Sequence, residues 1–188
     1  MEWNLKNHAV NLEEQFFANL DAELIEKIRG QNKAQKTIEA LEQASGIQDR
    51  EVLEELEKLG LDPSTLSALS LVPLIEVAWA DFELTRRERN AILKVVGEKR
   101  IDVGSPSYKL LENWLSEKPG AEVRKAWKDY VHALCATMDH TKRDALKKEI
   151  LGQAHYVAEV SGDMLGMINK VSSAEEGVLK DLSTAFDG

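Results

Sequence analysis

The sequence is short of the residues that staple, break or extend a chain. It has one cysteine, Cys135, so no intrachain disulfide can form. A lone thiol fits a reducing compartment, and the expected location is the cytoplasm. Glycine and proline number only 11 and 4, which excludes collagen-like and low-complexity classes. Basic residues are outnumbered: 24 Lys and Arg stand against 33 Asp and Glu, for a net charge of −9. A free-standing nucleic-acid binder would carry a basic excess, so no nucleic-acid partner is expected. Long apolar runs are missing as well. The most apolar stretch, Leu66 to Ala80, is interrupted by Ser67, Ser70, Pro73 and Glu76. A membrane span needs roughly 20 apolar residues, so this stretch reads as a buried helix and no membrane span is expected. Met1 to Val10 shows no apolar run after a basic patch, so no signal peptide is expected.

Enzyme signatures are lacking too. There is no GxGxxG, GxxxxGK[ST] or GxSxG, and no CxxC or HExxH. What remains is a chain with 43% hydrophobic and 30% charged residues, the balance of a soluble globular protein.

Period-2 runs of Val, Ile, Thr and aromatics are absent, whereas helical periods abound, so the expected fold class is all-α. Leu12, Phe16, Leu20, Leu24 and Ile28 recur every four residues and predict a helix over about 11–29. Ile38 and Leu41, with Ala34, mark a weaker helix that ends at Gly46. Asp49 is a cap for a third, holding Val52, Leu53, Leu56 and Leu59 and stopped by Gly60. Asp62-Pro63 and Ser105-Pro106 each read as an N-cap followed by Pro at the first helical position. Pro73 fits the first turn of a helix capped by Ser70. The Ser105-Pro106 helix carries Leu110, Leu111, Trp114 and Leu115, and Pro119-Gly120 closes it. Val123, Trp127, Val131, Leu134 and Met138 form the next stripe. Asp139 or Thr141 caps a long helix that ends between Gly162 and Met167, and a last helix starts after Ser172. Residues 1–60 hold 13 acids and 7 bases, and composition changes near Gly60. The expected organisation is an acidic helical extension over 1–60 and a helical domain over 61–188.

Two stretches echo each other. Leu84-Thr85-Arg86-Arg87-Glu88 precedes Ile92 and Val95, and Val171-Ser172-Ser173-Ala174-Glu175 precedes Leu179 and Leu182. In both, a hydroxyl is followed three residues later by Glu, the pattern of a capping box. The echo fits a domain of two similar halves.

Val77-Ala78-Trp79-Ala80-Asp81, then Glu83 and Glu88-Arg89, resembles the tellurite-resistance TerB-like family. That family shows a small-residue–Asp–Gly turn, an acidic or hydroxyl residue and a Glu opening the next helix, and it often repeats the pattern, as Ser172 to Glu176 does here. The resemblance covers about 66–188, including Gly104-Ser105-Pro106 and Trp114-Leu115, and extends to bacterial proteins that carry such a domain. It implies an all-α, multi-helix bundle of two pseudo-symmetric halves, with links to metal binding through acids and to stress or membrane-associated complexes. Two positions depart from the pattern. Phe82 stands where the family has Gly, so a positive-φ turn there carries a steric cost. Ile168-Asn169-Lys170, before Val171, holds no Asp-Gly pair.

On that basis Asp81, Glu83 and Glu88 are candidate ligands for a divalent cation (calcium, magnesium or zinc), joined by Glu175 or Glu176 from the second half. Hard cations need several oxygens, and carboxylates at a loop-to-helix junction can supply them. The competing role for Glu88 is closing a capping box, and for Asp81 capping a turn. His132, Cys135 and Asp139 share one helical face in zinc-like spacing, but Cys135 borders the apolar stripe and a lone Cys is commonly just buried. Trp79, Trp114 and Trp127 fall on apolar stripes and are expected in the core. Glu51, Glu54, Glu55 and Glu57 are expected to be a solvated face. Trp3 sits in a polar N-terminus where it can dock on another chain or on its own core. The N-terminal stripe either packs on the domain or meets a partner helix. The function expected is a non-enzymatic binding or scaffold module with a protein partner or a homo-oligomer. Its alternatives are a metal-responsive stress protein of the tellurite-resistance type and a metal-dependent hydrolase.

Overall fold

The structure is a computed structural model that describes Lys27 and residues 29–161 and 171–187. The helix expected over 11–29 lies almost wholly outside the described residues, as do Trp3 and the expected end of the long helix between Gly162 and Met167. No strand occurs among the described residues, so the chain is all-helical there.

Helix α1 runs through 29–45 and stops at Gly46, whose φ is 73°. Asp49 opens α2, Arg50–Lys58, by accepting the N–H groups of Glu51 and Val52. Gly60, at φ 76°, closes it: Gly60 N–H donates to Glu57 O and Leu61 N–H to Leu56 O, the paired bonds of a Schellman motif. Asp62-Pro63 departs from expectation. The Asp62 carboxylate accepts from Ser64 and Thr65, yet the chain continues into a turn and a 3-10 helix, Leu66–Leu71, rather than an α-helix. Pro73 does lie in the first turn of α3, Val72–Ala78. The cap is Leu71 rather than Ser70, whose hydroxyl instead donates back to Ser67 O.

Helices α4 (Arg86–Glu98), α5 (Pro106–Ser116), α6 (Ala121–Ala136), α7 (His140–Ser161) and α8 (Ser173–Ser183) come next, with a short 3-10 turn at Thr184–Phe186. Ser105 caps α5 by accepting from Tyr108 N–H. Asp139 caps α7 by accepting from Lys142 N–H, so it prevails over Thr141. Gly120 is the N-cap of α6, while Glu117 ends α5.

Every residue from Leu71 to Ala78 is buried, so α3 is the central rod. It packs against α4, α6, α7, α8 and the 3-10 helix. The same buried cluster takes in Ile38, Leu41, Ile47, Leu53 and Leu56, and thus runs through the composition change at Gly60. Trp127 meets Phe186 edge to face with ring centroids 6.1 Å apart. The one acid in the rod, Glu76, is 1% exposed and accepts from Arg124 Nε at 2.6 Å. Asp181 lies 3.9 Å from the same guanidinium and accepts from Lys128 at 2.9 Å. Charge thereby ties α3, α6 and α8 together inside an otherwise apolar packing.

Candidate functional site

The acids singled out in the sequence sit where the chain turns from α3 into α4 and where α8 begins. Thr85 opens α4 as a full capping box: its hydroxyl oxygen accepts Glu88 N–H, and Glu88 Oε2 accepts the Thr85 N–H at 2.7 Å. The Thr85 hydroxyl donates to the same oxygen at 2.6 Å. Ser172 and Glu175 repeat the box at α8, with Glu175 Oε2 accepting Ser172 N–H at 2.6 Å. The two cap residues have nearly the same backbone, φ −75°, ψ 161° and φ −69°, ψ 157°. Both glutamates are buried, whereas Asp81, Glu83 and Glu176 are exposed.

The α4 box feels the acids around it. Burial pushes the Glu88 carboxyl above its ordinary range; the Thr85 bonds oppose this, and the charges of Asp81 and Glu175 add to it. Asp81 accepts the Glu83 N–H, an Asx-type turn. Among the described residues no three His, Cys, Asp or Glu side chains are arranged to hold a metal ion. One oxygen of Glu88 and one of Glu175 are already committed to helix caps.

Phe82, between the exposed acids, adopts φ 68° although it is not glycine, and it is 79% exposed. The Lys118 ammonium lies 4.4 Å from the centre of its ring and donates to Trp79 O at 2.9 Å. Trp79 in turn donates from Nε1 to Trp114 O at 2.9 Å. Lys118 thus satisfies a carbonyl at the end of α3 while carrying Phe82 on its outer side. Sequence reasoning flagged the cost at Phe82 but missed Lys118, because nothing local to 118 announces a partner in another loop.

The second candidate group separates. His132 and Asp139 are exposed and Cys135 is buried, its thiol pushed up by burial against the opposing charges of Arg143 and Lys147. That thiol is a poor nucleophile. Trp114 and Trp127 are buried, as their stripes imply, while Trp79 is half-buried against the core rather than within it. No helix among the described residues is long and apolar enough to cross a membrane. Protein-family models, curated proteins and solved structures offer no match to this chain.

Proposed function

We propose that the chain is a non-enzymatic helical binding module of the cytoplasm, built on the TerB-like plan of two similar halves, which engages a protein partner through the Phe82 corner. One observation carries this reading. A lone exposed apolar side chain needs no explanation, but Phe82 is held out on backbone that a bulky residue adopts only at a cost. The flanking Asp81 and Glu83 give the anchor an acidic rim, the usual surround of an interface hot spot being polar. The paired capping boxes of α4 and α8 support the two-half plan.

Affinity capture from the source cells checks it, with wild type, Phe82→Gly and Val103→Gly compared. Val103 is 82% exposed and serves as the control for removing an apolar surface group. Proteins held by wild type and Val103→Gly but lost from Phe82→Gly support the reading. Equal retention by all three sinks it.

A second reading, a divalent cation held by Asp81, Glu83 and Glu88 with Glu175 or Glu176, draws support only from the charges of Asp81 and Glu175 acting on Glu88, and it stands against the absence, among the described residues, of three such side chains arranged to hold a metal ion. It is the reading on which the chain serves as a metal-responsive stress protein. The pH response of Glu88 in the presence of cations, argued below, tests it.

A further inference from the structure

A cleft of about 560 Å³ opens where the 3-10 helix, α6 and α7 come together, with Ala44 of α1 at its edge. Its size falls in the range of small-molecule pockets. Phe82 does not line it, so it stands apart from the reading above. Leu66, Leu69, Leu134, Leu146 and Ile150 make its walls apolar.

Its polar groups are few, and the hydroxyls of Ser67 and Ser70 are already engaged, with Ser107 and with Ser67 O. Lys99 is the one charged residue among the described lining. Its side chain is 18% exposed, and its ammonium donates to Glu149 at 3.1 Å and has two further N–H donors. Trp127 is 1% exposed and lines the cleft, yet its indole N–H makes no hydrogen bond among the described residues, in contrast to that of Trp79. The half-buried Tyr130 hydroxyl makes none either, and burial pushes its phenol up, so it stays protonated. Neither atom is a fully buried polar group without a partner, so both still reach water. The Lys99 cation beside an apolar cleft complements an anion on an apolar chain.

We infer that this cleft binds a free single-chain carboxylate amphiphile, with the chain against Leu66, Leu69, Leu134 and Ile150 and the carboxylate at Lys99. The probe is dodecanoate, kept below its micelle concentration and titrated calorimetrically into the full chain, with dodecanol as the uncharged comparison. One saturable site is expected, tighter for dodecanoate than for dodecanol. Lys99→Met should weaken dodecanoate about tenfold, the size of one partly buried charge contact, and leave dodecanol unchanged. Ala44→Trp, on an exposed helix position, and Leu134→Trp should each fill the cleft and weaken both ligands, with helicity by circular dichroism as the check on folding. The inference is overturned if dodecanoate shows no saturable binding, in which case a segment of this chain or a partner protein fills the cleft. Equal affinity for acid and alcohol, or wild-type affinity in Lys99→Met and in whichever tryptophan variants fold, overturns it too.

Discussion

At the scale of single residues, two non-glycine positions among the described residues adopt left-handed backbone, Phe82 at φ 68° and Arg100 at φ 55°. Arg100 closes α4 as Gly60 closes α2. Arg100 N–H donates to Gly97 O and Ile101 N–H to Val96 O, the same pair of bonds with the wrong residue type at the turn. The left-handed form costs a side-chain-bearing residue about 1–2 kcal/mol, and glycine avoids most of it while losing more entropy on folding. Arg100→Gly should therefore raise unfolding free energy by about 1 kcal/mol. Phe82→Gly should gain less, because it forfeits the Lys118–ring contact, worth about 0.5–1 kcal/mol at an exposed site. Urea denaturation checks both. A loss of stability in Arg100→Gly would mean that the arginine side chain contributes more than its backbone costs.

Helix ends are where the sequence was most readable. Asp49, Gly60, Thr85, Ser105, Asp139 and Ser172 all do what their residue types imply, because a cap is decided within one turn of chain. Asp62-Pro63 misled, since the same cap and proline can close a tight turn, which here leads into a 3-10 helix that begins after Thr65. Arg100 was silent because no residue type announces it. At the candidate site the acids were legible, and so was Glu88 as a box closer. Lys118 was not, because it meets Phe82 from another loop.

The α4 box also makes a pH prediction. Burial raises the folded-state pKa of Glu88 above its unfolded value, with Asp81 and Glu175 adding to the push. A raised carboxyl contributes its stability below the unfolded pKa and loses it as pH rises through the folded one. Glutamine keeps a capping acceptor without the charge. From about pH 4 upward, wild type should therefore lose ground steadily to Glu88→Gln, then run parallel once the carboxyl is ionised in both states. Glu88→Ala should run about 1 kcal/mol below Glu88→Gln at every pH through the lost cap. Denaturation across a pH series reads the difference; a gap that moves in favour of wild type as pH rises counts against the burial argument. A cation held by these acids would lower the Glu88 pKa and reverse the slope. Repeating the series with millimolar calcium, magnesium or zinc thus tests the second reading, and an unchanged slope sinks it.

For the whole molecule, the decisive feature is that α3 is buried on every side and still carries a carboxylate. The apolar run from Leu66 to Ala80 made its burial legible. It left Glu76 ambiguous, because a single acid in such a run can mark a wet face or a buried pair. The partner, Arg124, sits on α6 and is invisible to local pattern. Desolvating Glu76 costs several kcal/mol, which the Arg124 bond at 2.6 Å offsets. Removing one partner therefore differs from removing both. Arg124→Met should strand Glu76 and cost about 3 kcal/mol, at the low end for broken buried pairs because the 30% exposed arginine keeps water within reach. The arginine also holds Asp181, so part of the α3–α6–α8 tie goes with it. Glu76→Leu combined with Arg124→Met should recover most of that loss, since an apolar pair of similar volume suits the surrounding core. A double-mutant cycle in urea checks this. If Arg124→Met alone costs less than about 1 kcal/mol, the pair behaves as a surface ion pair. The central rod would then be held by its apolar contacts alone.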